Sequence, residues 1–145
     1  TRSAMQSCIN EKHLDKLVTI ANPLDINPGA DDEVHAHMAE LMLNDEGIDA
    51  VVIGLDPHSP VTHTLAETDV EAFRMDAPGG ILERLSAVRE RFRKPLVAVV
   101  DGGAQFEPFR NALRERNIPV FPVCDRAIAT LSLYMEARLM VKGLV

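Results

Sequence analysis

The chain has 145 residues, 46% hydrophobic and 26% charged, which suits one ordinary soluble domain with a buried core. Its 15 basic and 22 acidic side chains leave a net charge of −7, which argues against a nucleic-acid surface because phosphate binding needs a basic face. No apolar run approaches the roughly 20 residues of a membrane span, no charged segment leads into a secretory apolar stretch, and Cys8 and Cys124 form no close-spaced metal or redox pair. These features predict a cytoplasmic enzyme or binding domain.

In chain order, residues 3–17 fit a helix that Ser3 could cap, with Met5, Cys8, Ile9, His13 and Leu17 near one face. Residues 22–29, Asn-Pro-Leu-Asp-Ile-Asn-Pro-Gly, carry two prolines and predict a loop. Asp31 or Asp32 can cap the next helix, striped by Val34, Met38, Leu41 and Met42, and Gly47 offers a left-handed stop. Residues 50–55 are short, β-branched and apolar on both faces, as a buried parallel strand is. A long loop over 56–78, with a helical turn near 65–73, leads to an amphipathic helix over 80–93. Its inward residues are Ile81, Leu82, Leu85, Val88 and Phe92. Residues 95–100 predict a second strand, 101–103 a turn, and 106–116 a helix with Pro108 in its first turn. Residues 118–123 predict a third strand, and Pro119 and Pro122 assign it to an edge. Asp125 caps a last helix, in which Ile128, Leu131, Tyr134 and Met135 are available for packing.

Strand and helix alternating at this spacing define an α/β fold with a parallel sheet. Ligands in such folds sit outside the carboxyl ends of the strands. Those ends are Asp56-Pro57-His58-Ser59, Asp101-Gly102-Gly103 and Val123-Cys124-Asp125.

Charge is unevenly spread. Residues 1–73 hold 3 basic and 14 acidic side chains, while residues 74–116 hold 9 basic and 6 acidic. Arg84, Arg89, Arg91, Arg93 and Lys94 follow one helix, as a solvated face or as a surface for an anionic ligand or acidic partner.

Asp101-Gly102-Gly103 is either a plain strand–helix turn or a place where backbone N–H groups approach an anion. The 56–64 loop, rich in hydroxyls and imidazoles, is either a polar loop or a source of a general acid or base. His35 and His37 lie two apart on a helix and make poor co-ligands, and no zinc spacing occurs. Cys124 reads as a small buried or capping residue. Asp56 followed by Pro57 is similar to the phosphoacceptor strand of a receiver domain, but the acidic pair after a first strand is absent.

The order of several segments carries a more specific likeness. Asn22-Pro23-Leu24-Asp25 is followed by Gly47-Ile48-Asp49-Ala50-Val51-Val52-Ile53, then by Lys94-Pro95-Leu96-Val97-Ala98-Val99-Val100-Asp101-Gly102-Gly103. Asn117-Ile118-Pro119-Val120-Phe121 and Asp125-Arg126-Ala127 close the series. From about Ser7 to Arg138 this resembles the C-terminal ligase-CoA domain of the NDP-forming acyl-CoA synthetases, the acetate–CoA ligase and succinyl-CoA synthetase group. The resemblance implies a flavodoxin-like, three-layer α/β domain. It also implies a parent enzyme that makes acyl-CoA, NDP and phosphate from acid, CoA and NTP through a phosphohistidine.

CoA, ATP or GTP, and Mg are implied for that parent, and no cofactor for this domain alone. The implied partners are CoA-binding and ATP-grasp domains or subunits, or a second copy of the chain as a homodimer. The family's first strand and its Ser-Asn-Ala-Gly-Gly turn have no counterpart, so residues 1–145 are expected to be a single, N-terminally truncated domain. Thr1 fits that expectation. Asp56-Pro57-His58-Ser59-Pro60 stands where relatives carry a Gly-Gly phosphate turn, and Asn117 stands where they carry Gly, which Asn replaces best in a left-handed conformation. No histidine matches the phosphohistidine motif, so no catalytic residue is assigned. The residues expected to face ligand or phosphate are Asn22, Asp25, Ser59, Gly102 and Gly103. The alternative function is a non-catalytic assembly or regulatory module, or a receiver-like phosphoacceptor.

Overall fold

The computed structural model describes residues 1–27 and 29–143. Pro28, the second proline of the predicted loop, lies outside the described residues, as do Leu144 and Val145. The elements are α1 (Arg2–Glu11), α2 (Asp32–Asn44), β1 (Val51–Leu55), α3 (Ile81–Arg91), β2 (Leu96–Val100), α4 (Glu107–Glu115), β3 (Val120–Phe121) and α5 (Cys124–Gly143). Short 3-10 turns lie at Glu71–Phe73 and Ala104–Phe106.

The three strands form one parallel sheet in the order β1-β2-β3. Val51 to Leu55 pair in register with Leu96 to Val100, and Ala98 and Val99 pair with Val120 and Phe121. Helices α2, α3 and α4 bury their apolar faces against one side of the sheet, around Ile53, Leu55, Ala98, Val100, Leu85 and Phe109. On the other side, Val97 and Val99 pack against Ala127 and Leu131 of α5. Helices therefore flank both faces, as the sequence predicts for an α/β fold. A separate cluster joins α1 to α2 through Met5, Cys8, Ile9, Val34 and Met38.

Only β2 is buried along its whole length, because only it has a strand on each side. β1 departs from the expectation of burial on both faces: Val51, Ile53 and Leu55 are buried, Val52 is half-buried and Gly54 is exposed. Its outer edge pairs with no strand among the described residues. β3 is an edge strand as expected but keeps only two residues. Pro119 still accepts from the Ala98 N–H at 2.8 Å, yet neither Pro119 nor Pro122 has an N–H to extend the ladder.

Several predicted boundaries move for local reasons. The first helix ends at Glu11, not residue 17, because His13 takes a left-handed conformation (φ 57°) and the Leu14 N–H closes onto the Ile9 carbonyl at 2.9 Å. Leu17 is consequently 65% exposed, and Ser3 lies inside the helix instead of capping it. Helix α2 ends by going extended at Asp45, so Gly47 is not its left-handed stop; Gly47 donates its N–H to the Asp45 carboxylate at 2.8 Å. The turn expected at 65–73 is confined to Glu71–Phe73, where a bridge joins Leu65 to Arg74. Phe92 ends α3 half-buried. Asn117 does adopt the left-handed conformation (φ 59°) and closes α4. Helix α5 starts at Cys124, which puts Asp125 in its first turn and not at its cap, and Cys124 is exposed. Of its expected packing residues, Leu131 and Met135 are half-buried while Ile128 and Tyr134 are exposed.

Three members of the basic run make contacts within the fold. Arg89 donates to the Asn117 and Phe92 carbonyls at 3.0 and 2.8 Å, Arg91 pairs with Glu40, and Lys94 donates to the Asp45 carbonyl.

Asp31 is the true cap of α2, accepting the Val34 N–H at 2.9 Å. Burial pushes its carboxyl up, but the Val34 N–H and the Lys12 ammonium outweigh that and hold it below the usual range. Because the folded carboxyl titrates lower than the unfolded one, its contribution is present above the unfolded pKa, about 4, and is lost as pH falls through the folded value. Replacing Asp31 by Ala should cost about 1 kcal/mol at pH 7. The difference from the parent chain should shrink below about pH 4, as denaturation at pH 7 and pH 3 would reveal.

Candidate functional site at the carboxyl ends of the strands

Parallel strands bring their carboxyl ends to one end of the sheet, and the helices that follow begin there. The Ile81 N–H at the start of α3 donates to the Asp32 side-chain carboxylate at the start of α2 at 3.0 Å, so the two helix starts lie beside each other.

The loop after β1 is folded tightly on itself. The Asp56 carboxylate accepts the His58 N–H at 2.9 Å. Thr62 Oγ1 donates to the Asp56 and Ser59 carbonyls, each at 3.2 Å, and Thr64 Oγ1 to the Pro57 carbonyl at 2.8 Å. Ser59, Thr62 and Thr64 are buried, and Ser59 Oγ accepts the Val61 N–H at 3.4 Å. The hydroxyls that look available in the sequence are thus turned inward, and Ser59 supports the loop. Asp56 is exposed and its carboxylate serves its own turn.

The β2 turn meets this loop. The His58 ring sits edge-on to Phe106 with centroids 4.8 Å apart. Gly102 has φ +118°, and a Cβ there would fall 2.8 Å from the Phe106 ring and 3.2 Å from the His58 ring, so no side chain fits. Arg110 of α4, 4% exposed, donates to the carbonyls of Val100 at 2.9 Å, Gly102 at 2.7 Å and Gly103 at 3.4 Å, and to Glu107 at 2.9 Å. It is the carbonyls of the glycine turn that are held by a cation. Arg114, and then Arg110, hold the Glu107 carboxyl below its usual range.

The least exposed carboxylate in this region is Asp32, 3% exposed. It accepts the Ile81 N–H at 3.0 Å, the His63 N–H at 3.2 Å and the ring Nδ1 of His63. One side chain thereby ties the loop after β1 to the starts of α2 and α3. Sequence reasoning treats Asp32 as an alternative cap and His63 as one imidazole of the polar 56–64 loop, without joining the two. The partners are 31 residues apart, and no spacing rule links them.

Asn22 and Asp25 are exposed and belong to a different neighbourhood. The peptide bond from Asn22 to Pro23 is cis. Asp25 accepts the Asn27 N–H at 3.0 Å, Leu24 and Ile26 pack on the α1–α2 cluster, and Arg2 reaches the Ile20 carbonyl at 3.1 Å. Of the five sequence-derived site residues, Ser59, Gly102 and Gly103 therefore lie in the loops that close the strands' carboxyl ends.

Two grooves of about 280 Å³ lie elsewhere. One separates α2 from α3, between His37, Glu40, Arg84 and Arg91, and the other runs beside α5, between Arg93, Phe121, Leu131 and Tyr134. His35 Nδ1 lies 2.9 Å from the Asp31 carbonyl while His37 faces Glu40, so the two do not converge. Among the described residues no three His, Cys, Asp or Glu side chains are grouped to hold a metal, and no helix is long and apolar enough to cross a membrane. No protein-family model, curated protein or solved structure matches the chain.

Proposed function

We propose that this chain is the ligase-CoA portion of an NDP-forming acyl-CoA synthetase. It would help to form the pocket that receives the phosphohistidine, and it would be inactive as a ligase on its own. The segment order from Asn22 to Ala127 supports this reading. The observation that carries it is the wrap of the sheet: α2, α3 and α4 cover one face, α5 covers the other, and the outer edge of β1 pairs with no strand among the described residues. That layout is compatible with part of a doubly wound, flavodoxin-like sheet.

In this reading CoA, NTP and Mg would be held by CoA-binding and ATP-grasp partners, in a cytoplasmic parent enzyme. The loops at Ser59, Gly102 and Gly103 are the surface such partners would meet.

The test is to express the full reading frame and supply NTP, acid and CoA. Acid-labile, NTP-dependent phosphorylation together with acyl-CoA formation is the expected result, with neither produced by the 145-residue chain alone. A full reading frame that gives neither product refutes the assignment. Phosphorylation of the isolated chain at Asp56 by acetyl phosphate would favour a receiver-like switch instead.

A further inference from the structure

The groove beside α5 lies at the opposite end of the sheet from the glycine turn. Helix α5 starts just past β3 and runs back across Val97 and Val99, so its middle reaches the amino ends of β2 and β3, where Pro95, Leu96, Asn117 and Pro119 line the groove. Its volume, about 280 Å³, is close to the lower bound of ligand-sized clefts. Phe121 and Leu131, both half-buried, and the Tyr134 ring give it an apolar wall. Arg89 and Arg93, at and just past the end of α3, supply its charge.

That charge is one-sided in a chain of net charge −7. No Asp or Glu lines the groove, although α3, α4 and α5 carry Glu83, Glu90, Glu107, Glu115, Asp125 and Glu136. Lys94 is turned away to the Asp45 carbonyl, and a further guanidinium, Arg138, donates to Tyr134 Oη at 3.1 Å. Arg89 is fixed in place by its bonds to the Asn117 and Phe92 carbonyls, which use Nε and Nη1 and leave Nη2 unused. Arg93 has no hydrogen bond and no carboxylate partner among the described residues.

We propose that this groove binds a small amphipathic carboxylate. Its apolar body lies against Phe121, Leu131 and Tyr134, and its carboxylate meets Arg93 and the unused Nη2 of Arg89. Guanidinium groups present paired donors that match a carboxylate, and the apolar body gains by leaving water. Neither half is enough alone. A bare anion meets cations that are largely in solvent, where an ion pair is worth little, and a neutral apolar molecule leaves the guanidinium groups unanswered. The groove is remote from Ser59, Gly102 and Gly103, so the assignment is independent of the ligase proposal.

The test titrates the whole chain with octanoate and follows backbone amide resonances. Saturable shifts should centre on Phe121, Thr130, Leu131 and Tyr134. Octanol and acetate each carry one half of the probe and should bind about tenfold more weakly or less. Arg93→Gln should weaken octanoate roughly threefold or more and leave the melting temperature unchanged, because Arg93 bonds nothing in the fold. Arg126→Gln removes the same charge from the first turn of α5, away from the groove, and should leave the affinity as it is. No saturable binding of octanoate, shifts centred on another surface, equal binding of octanol, an unchanged affinity in Arg93→Gln, or tighter binding of AMP than of octanoate would each overturn the proposal.

Discussion

Replacing Asp32 by Ala should remove about 3 kcal/mol of stability or more, because it leaves several buried donors without an acceptor. The backbone N–H groups of Ile81 and His63 and the His63 ring would lose their common acceptor in a place where water does not readily replace it. The loss is large because Asp32 holds three segments at once, the start of α2, the start of α3 and the loop after β1. Since total stabilities are about 5–15 kcal/mol, such a loss would leave a marginal fold. Chemical denaturation should move the midpoint down with little change in slope. Asp32→Asn should fall between the two, because its amide oxygen can accept part of the set. A loss below about 1 kcal/mol for the alanine variant would mean that water takes over the carboxylate's role.

Arg110→Met should be nearly as damaging, at about 3 kcal/mol. Methionine can fill much of the space of the apolar stem, so the effect isolates the guanidinium. Without it the carbonyls of Val100, Gly102 and Gly103 lose a shared donor, and Glu107 keeps only Arg114. Arg110→Lys should recover only part of the loss, because an ammonium lacks the planar fork that reaches several carbonyls together. Thermal unfolding compared across the three proteins gives the order, and the amide resonances of Gly102 and Gly103 should shift most. An Arg110→Lys variant as stable as the parent would refute the fork argument.

The parts of the fold legible in the sequence are those fixed by local pattern. The parallel strands near 50–55 and 95–100, the helix over 80–93 and the edge position of the 118–123 segment follow from apolar runs, periodicity and proline chemistry. Helix ends were less legible, since they depend on single residues: His13 turning left-handed stops α1 six residues before the periodicity runs out, and Asp45 turning extended pre-empts Gly47. The candidate site was partly legible. Strand ends pointed to Ser59, Gly102 and Gly103, whereas Asn22 and Asp25 took their place from the segment order and pack with another neighbourhood. The contacts that organise this end of the sheet, Asp32 with His63 and Arg110 with the glycine turn, join different elements. In the sequence Asp32 looks like a cap, and Arg110 looks like one more charge on an exposed helix.

The outer edge of β1 bears on how stability would be measured. A ladder that ends without a partner has backbone groups whose best acceptors and donors lie on another molecule or another segment. Any chain that pairs there binds the folded form and not the unfolded one, so it shifts the folding equilibrium by mass action. Were such a chain to pair there, the melting temperature would be a property of a mixture as well as of a sequence. It would rise with the concentration of the added strand, and a value taken in dilute solution would be the floor of that scale.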